Sequence, residues 1–222
     1  MDRHSINHIA AFENCYIMQR EDIKSFADTL ADGFSQYNLF NYACGKRYSR
    51  SKMSLFWAVS IALNADNAIC VADSKEINSV LVYVRPNSKD PGVIDYLKSG
   101  GLKMIWKVGM RSSLKLLRFD ITAQRVAKRY RTENDGYLLC FATRIDKQGQ
   151  HYGKHLMEAL LRYLDMSGEG CYLETLKPTN VGLYNHFSYE LKEQMPLKWG
   201  DLTLYAMYRP KNKDLIQSQT NV

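Results

Sequence analysis

The run Gln148 to Gly153, QGQHYG, lies between an apolar stretch, Tyr137 to Thr143, and a helical pattern, Tyr152 to Asp165. The apolar stretch is continuous rather than alternating, as a strand buried on both faces should be. Leu156, Leu160, Leu161 and Leu164 form one helical stripe, Gly168 and Gly170 end it, and Cys171 to Leu176 reads as the next strand. Residues 137 to 176 are therefore expected to form a strand, loop, helix, strand unit with parallel strands and a right-handed crossover. In such a unit the loop opens a helix, where unpaired backbone N–H groups and the helix dipole favour an anion, so it is a candidate polyphosphate seat. With only Gly149 and Gly153 in it, the loop also fits a plainer reading, one glycine as a turn and the other as a packing contact. It is neither a Walker A loop, which needs GK[ST], nor a dinucleotide fingerprint, which needs GxGxxG and an acid downstream.

The chain changes character at the turn signal Asp135-Gly136, and before it the pattern is mainly helical. Glu21 to Phe34 places Ile23, Phe26, Ala27, Leu30, Ala31 and Phe34 on one stripe, and Gly33 with the aromatic-rich NLFNYACG marks its end. Ser51 to Leu63 is a second helix. Ala68 to Ala72 and Ser79 to Val84 flank the polar turn DSKEIN and predict a hairpin, stopped by Arg85-Pro86-Asn87. Pro91 to Tyr130 reads as helical, broken at Gly100-Gly101 and near Arg111-Ser112-Ser113. After the central unit come a short helix near Asn180 to Phe187 and two strands, Glu190 to Met195 and Leu202 to Tyr208, joined by LKWGD. No repeat or linker divides the 222 residues, so one domain is expected over 1–222, with halves at about 14–135 and 136–210 and a tail at 211–222.

Charge and cysteine usage narrow the setting. The formal net charge of +7 favours anionic partners, and ten basic residues lie between Lys98 and Arg131 against one acid, Asp120. That stretch is either a solvated helix face or a basic rim that steers a negatively charged ligand. Five Cys, without CxxC pairs or His at ligand spacing, argue against a disulfide framework and against a metal site. The N-terminal MDRHSINH has no apolar core, and the longest apolar run, Met53 to Leu63, is too short to cross a bilayer. A soluble, reducing, cytoplasmic setting without a membrane partner is expected.

The segments YLLCFATRIDKQGQHYGKHLMEALLRYLD and YLETLKPTNVGLYNHFSYEL resemble the core of the GCN5-related N-acetyltransferases (GNAT). The resemblance is most specific over residues 137 to 191, and Tyr83-Val84-Arg85-Pro86 and the terminal Met207-Tyr208-Arg209 are also similar to that family. It implies an α/β (α+β) fold: a mixed, mostly antiparallel twisted sheet with a central parallel splayed strand pair and helices on both faces. Acetyl-CoA is implied as cosubstrate, with no metal. Phe141, Ala142 and Thr143 would meet the pantetheine arm, Gln148, Gly149, Gln150, His151, Tyr152, Gly153 and Lys154 would wrap the pyrophosphate, and Asn180 would bind the coenzyme further along. Tyr184 matches the tyrosine that in many members protonates the departing thiolate. Two positions depart from the pattern. His151 stands where a glycine is usual, so either its φ is ordinary and the phosphate packs differently, or the imidazole itself contacts phosphate; Ser188-Tyr189 replaces Gly-Phe.

Glu174 lies where members of that family often position an acid or a water near the substrate amine, so the resemblance makes it the candidate general base; its neighbours Leu173 and Thr175 face the opposite side of the sheet, while Glu174 alternates with Tyr172 and Leu176. The alternative is a structural acid bonded to backbone or to a lysine. His186 is a second candidate, and His155 reads as structural. Cys140 and Cys171 sit inside strands, so direct transfer to a primary amine of a small molecule is expected rather than a covalent route. Phe34, Tyr37, Phe40, Tyr42 and Tyr48 are either core or an aromatic wall for that acceptor. Acetylation of a basic protein tail is disfavoured by the basic surface. The competing expectation is a protein that keeps the coenzyme seat and binds nucleic acid or an acidic partner through its basic stretch; it ranks second, because no recognition-helix or RNP pattern is present. A homodimer is left open.

Overall fold

The computed structural model describes residues 10–45, 48–89 and 91–212. The N-terminal MDRHSINH and nearly all of the 211–222 tail lie outside them. Among the described residues, seven strands form one sheet in the order β1-β2-β3-β4-β5-β7-β6. They are β1 (Tyr16–Ile17), β2 (Ala68–Ala72), β3 (Ser79–Val84), β4 (Asp135–Thr143), β5 (Gly170–Thr175), β6 (Glu190–Pro196) and β7 (Thr203–Arg209). Every neighbouring pair is antiparallel except β4 and β5, which are parallel.

Among the described residues, the eight α-helices that follow β1 cover the two faces. On one face lie α1 (Ile23–Gly33), α2 (Asn38–Cys44), α3 (Arg50–Asn64), α4 (Val93–Lys98), α5 (Gly101–Val108) and α6 (Met110–Tyr130). On the other lie α7 (Tyr152–Ser167) and α8 (Pro178–His186). The predicted stripes account for this: α1 buries Phe26, Ala27, Leu30 and Ala31, and α7 buries Leu156, Leu160 and Leu164. Gly168, at φ 67°, stops α7, its N–H and that of Glu169 returning to Asp165 and Leu164 carbonyls.

Two readings of the sequence are corrected and one element is added. Asn38–Cys44 is a helix of its own rather than the end of α1, because Leu39, Phe40, Ala43 and Cys44 form a buried row at helical spacing. The second break in the long helical region falls at Gly109, whose φ of 97° only glycine adopts readily, and not at Arg111-Ser112-Ser113. Ser112 and Ser113 lie inside α6 on its buried side. β1 is an addition, pairing Tyr16 with Ala72 and Ile17 with Val71.

The pair β4–β5 positions everything that follows. Only three positions pair, Asp135 with Gly170, Gly136 with Cys171 and Tyr137 with Tyr172; beyond them β4 runs on to Thr143 without β5 beside it. The cause is visible on the other edge of β4, where Val82 faces Cys140 and Tyr83 faces Leu138, leaving Leu139 as an extra, bulged residue. A bulge bends its strand. The closed end is pinned: buried Asp135 accepts hydrogen bonds from the Thr132 amide (2.8 Å), the Thr132 hydroxyl (2.7 Å) and Tyr208 (2.9 Å). The open end is held by α1, where Asp32 accepts from the Ile145 amide at 2.8 Å and pairs with Arg50 at 2.9 Å.

Gly170 has no room for a side chain, since a Cβ there would lie 2.3 Å from the Tyr208 hydroxyl and 2.4 Å from Asp135 Oδ1. Gly170→Ala should therefore cost about 1–3 kcal/mol through overpacking. Chemical denaturation measures this, and a midpoint equal to wild type would show that the closed end is not pinned here.

Candidate functional site

The loop after β4 is built from local rules. A 3-10 turn, Ile145–Lys147, follows Arg144; Gln148 is extended; Gly149 takes φ 77°; and His151, at φ 67° and ψ 2°, caps α7. The first of the two outcomes expected at His151 is thus overturned: its φ is not ordinary, and the backbone keeps the left-handed shape that a glycine would take there. Tertiary placement of β4 and α7 outweighs the steric cost of about 1–2 kcal/mol. Ser188, the other non-glycine at an expected glycine position, does the same at φ 64°.

Two exposed side chains of the loop bond back to its own backbone. Gln148 Nε2 donates to the Thr143 carbonyl and Gln150 Nε2 to the Asp146 carbonyl, both at 3.2 Å. Lys154 is half exposed and lies 3.7 Å from Glu158. What the loop offers is backbone, because the amides at the start of α7, those of Tyr152, Gly153 and Lys154, have no acceptor within the helix. Gly153 brings them to the strand end: a Cβ there would lie 2.7 Å from the Phe141 ring and 3.1 Å from Thr143 Oγ1. A cavity of about 370 Å³ adjoins the outer side of the loop, between His151 and His155 and the hairpin residues Asp73 and Glu76. The two carboxylates make that side unfavourable for an anion.

At the splay, the two faces of the sheet meet. Glu174 shares a face with Tyr172 and Leu176, as the alternation predicts, while Leu173 packs on the other. Tyr137 donates to Glu174 Oε1 at 2.6 Å, whereas Glu174 Oε2 and the Tyr172 hydroxyl are buried without a hydrogen-bond partner among the described residues. Neither structural alternative for Glu174, backbone or lysine, supplies its bond; a tyrosine does. Burial, reinforced by Asp120 and opposed by the Tyr137 bond and Arg131, pushes the Glu174 carboxyl from 4.5 up to about 7.

Tyr184, on α8, is buried and approaches from the opposite face, its ring 5.9 Å from that of Tyr189. Burial, with Tyr37, Cys140 and Glu174 as electrostatic neighbours, raises its pKa, so the phenol is neutral at pH 7. Tyr37 joins them. Its hydroxyl accepts from the Leu176 amide at 2.6 Å and lies 3.3 Å from Thr175 Oγ1, and burial pushes its pKa up to about 12. Thr175 Oγ1 also accepts from Asn180 Nδ2 at 3.1 Å. Asn180 thus spends one donor on the end of β5.

Tyr137, Tyr172 and Thr175 were not singled out in the sequence, and Tyr37 only within the aromatic wall. Their signal was strand register, which places Tyr137 opposite Tyr172. Of the wall, Phe40 is core, Tyr48 donates to the Ala31 carbonyl at 2.9 Å, and Tyr42 stacks 5.0 Å from Trp199; Phe34 and Tyr37, 5.2 Å apart, remain beside the site. His186 is exposed, and His155 lies 3.1 Å from the Asn14 carbonyl, the structural place expected for it. All five Cys are free, and no cluster of metal-ligating side chains occurs among the described residues.

A bulged strand that parts from its parallel neighbour and runs into an amide-rich loop and helix defines the fold of the GCN5-related N-acetyltransferases, and this chain has it. A histone acetyltransferase HPA2 and related acetyltransferase from Corynebacterium glutamicum superposes with a TM-score of 0.57 at 18% identity, over 90% of this chain and 97% of that one. An N-acetyltransferase from Staphylococcus aureus gives 0.57 at 11% identity, over 87% and 98%. The C-terminal condensation domain of Ebony, in complex with β-alanyl-dopamine, gives 0.58 at 11% identity, over 88% and 97%. No family model and no curated protein matches the sequence.

Two measurements follow from the strain and the charge. Ser188→Gly relieves a left-handed serine and should raise stability by about 0.5–1 kcal/mol, or about 1–4 °C in Tm; a fall would mean that the serine hydroxyl matters more than the backbone. Because folded Glu174 holds its proton to about 7 against 4.5 for an ordinary glutamate, the native state binds more protons in that window and stability should fall as pH rises through it. In Glu174→Gln that slope should be absent from denaturation curves taken across the same range.

Proposed function

We propose that this protein is an acetyl-CoA-dependent N-acetyltransferase that moves the acetyl group directly to a primary amine of a small molecule. The observation that carries the reading is the unpaired edge of β4 past Tyr137, which ends at the amides of α7; Glu174 on β5, with Tyr184 as an electrostatic neighbour, supports it. Acetyl-CoA would supply the activated acyl group and the thiol leaving group.

The residues fit such a ligand. Phe141, Ala142 and Thr143 offer free strand backbone on the side from which β5 has departed. The loop from Gln148 to Lys154 offers amides to a pyrophosphate, held close by the absence of a side chain at Gly153. The glutamines brace the loop through the Thr143 and Asp146 carbonyls. Asn180, through Thr175 and Tyr37, fixes the end of β5 where the arm would pass.

Glu174 takes the proton of the attacking amine, since a carboxyl poised near 7 is half ionised at neutral pH and loses little by accepting a proton there. Tyr137 orients it through Oε1, leaving Oε2 for the amine. Tyr184, kept neutral by burial, has a proton for the departing sulfur. A covalent route is disfavoured, because burial raises the Cys140 thiol well above its usual range and pushes Cys171 up to about 12. The β-alanyl-dopamine seen on a similar fold supports a small acceptor.

Calorimetry with acetyl-CoA should show binding, and no heat at high concentration would overturn the reading. With an amine found by thiol release, Tyr184→Phe should lower kcat about 10–100-fold with KM for acetyl-CoA changed by no more than about twofold; equal turnover would remove the phenol from the reaction. Glu174→Gln should lower kcat/KM about 100-fold and abolish the rise in rate with pH through about 7. Binding without transfer to any amine would instead favour a coenzyme-binding protein that acts through its basic helices.

A further inference from the structure

Among the described residues, thirteen large hydrophobic side chains are exposed, and nine of them fall between Val93 and Ile121. They are therefore concentrated on three consecutive helices rather than scattered, and scattered apolar residues are the ordinary case. On α5, Leu102 is 66% and Trp106 is 76% exposed. On α6, Met110, Leu114, Leu117 and Ile121 repeat at intervals of four, three and four residues, so they share an arc of roughly 60°. The buried row of that helix, Leu116, Ala123, Val126 and Ala127, lies on its other side. The exposed row is a ridge, not a groove.

Charge accompanies it. From Val93 to Arg131 there are ten basic residues and two acids, Asp95 and Asp120, a surplus of eight in a chain whose net charge is +7, so the remainder is close to neutral. Some of these cations tie α6 down: Lys115 donates to the Tyr42 carbonyl at 2.8 Å, Arg118 lies over Trp199 and Arg129 binds both oxygens of Glu193. Lys103, Arg111, Arg125 and Lys128 make no ion pair or hydrogen bond among the described residues, and Lys107 lies 4.7 Å from the exposed Trp106 ring.

We propose that α4, α5 and α6 form a peripheral docking surface for a lipid bilayer that carries anionic headgroups, with Trp106 and the Met110 to Ile121 row entering the headgroup boundary and the free lysines and arginines meeting the phosphates. Such a surface needs apolar rows and cations together, with Trp at the boundary, which is the composition of helices that lie in the interface plane. No helix among the described residues is long and apolar enough to cross a membrane, and lying on one requires none. A second copy through this face would set two surpluses of positive charge against each other. A nucleic acid would meet the cations but give no return for nine apolar side chains. An amphipathic peptide would want a groove. The inference is independent of the acetyl-transfer reading.

Co-sedimentation of the full chain with phosphatidylcholine vesicles, with and without about 30 mol% phosphatidylserine, tests it. Partitioning should be at least about tenfold stronger with the anionic lipid and should weaken between about 0.1 and 0.5 M salt. Two double variants separate the contributions, Trp106→Ser with Leu114→Ser and Lys103→Glu with Arg111→Glu; each removes exposed side chains only and is used once its melting curve matches wild type. Each should lower partitioning at least about tenfold. Equal binding to neutral vesicles, no binding to either, or wild-type binding by the apolar double variant would overturn the proposal. A dimer in solution that the apolar variant splits, with no vesicle binding, would assign the face to a second copy instead.

Discussion

The structure depends on β4 and β5 being paired at three positions and no more. A parallel pair in the middle of a sheet normally exchanges hydrogen bonds along its length, and leaving strand backbone without partners is costly unless water or another chain supplies them. Here the parting is imposed from both ends. Asp135, Tyr208 and the bare Gly170 draw the strands together at one end, while the bulge at Leu139 and the clamp of Asp32 on Ile145 carry β4 away at the other. The gap is where side chains from opposite faces of the sheet, Glu174 and Tyr184, share one electrostatic neighbourhood.

The polar groups at that gap are set by what surrounds them rather than by their type. Glu174 is an ordinary glutamate in the chain; a desolvated position with one tyrosine bond brings it to about 7. The tyrosines around it are driven the same way, towards staying protonated, so a single environment pushes an acid and its neighbours towards the neutral form. The same logic governs the backbone at His151 and Ser188. Neither residue prefers the left-handed region, yet the packing of α7 and α8 against the sheet leaves no other shape for the chain to take.

The basic region divides in two when its side chains are placed. Lys115, Arg118 and Arg129 bind the protein to itself, and the cation of Arg131 also lies over the Tyr137 ring beside the site. The remaining cations share solvent with apolar rows. Charge counting alone made the region a solvated helix face or a basic rim, and the shortness of the apolar runs led to the expectation of no membrane partner; the exposure of the apolar rows bears on that question and is a property of the packed structure.

Most of the fold was legible from periodicity. The hairpin β2–β3, helices α1, α3 and α7, the parallel unit and the terminal hairpin stood in the sequence because local patterning and turn residues agree with the tertiary structure there. The turn from Gln148 into the helix at Tyr152 was legible too, as was the alternation of Glu174 with Tyr172 and Leu176, since turn residues and strand alternation are local properties. Helix α2 was hidden because seven residues carry too little pattern, and the break at Gly109 was hidden among equally plausible ones. The parting of β4 from β5 was expected from the resemblance; only the tertiary structure decided which three positions still pair, that Tyr137 holds Glu174, that Tyr37 stands at the end of β5, and that the helices after β3 turn their apolar rows outwards. Each of these is a relation between residues distant in the chain, fixed by register and packing, and no local pattern encodes such a relation.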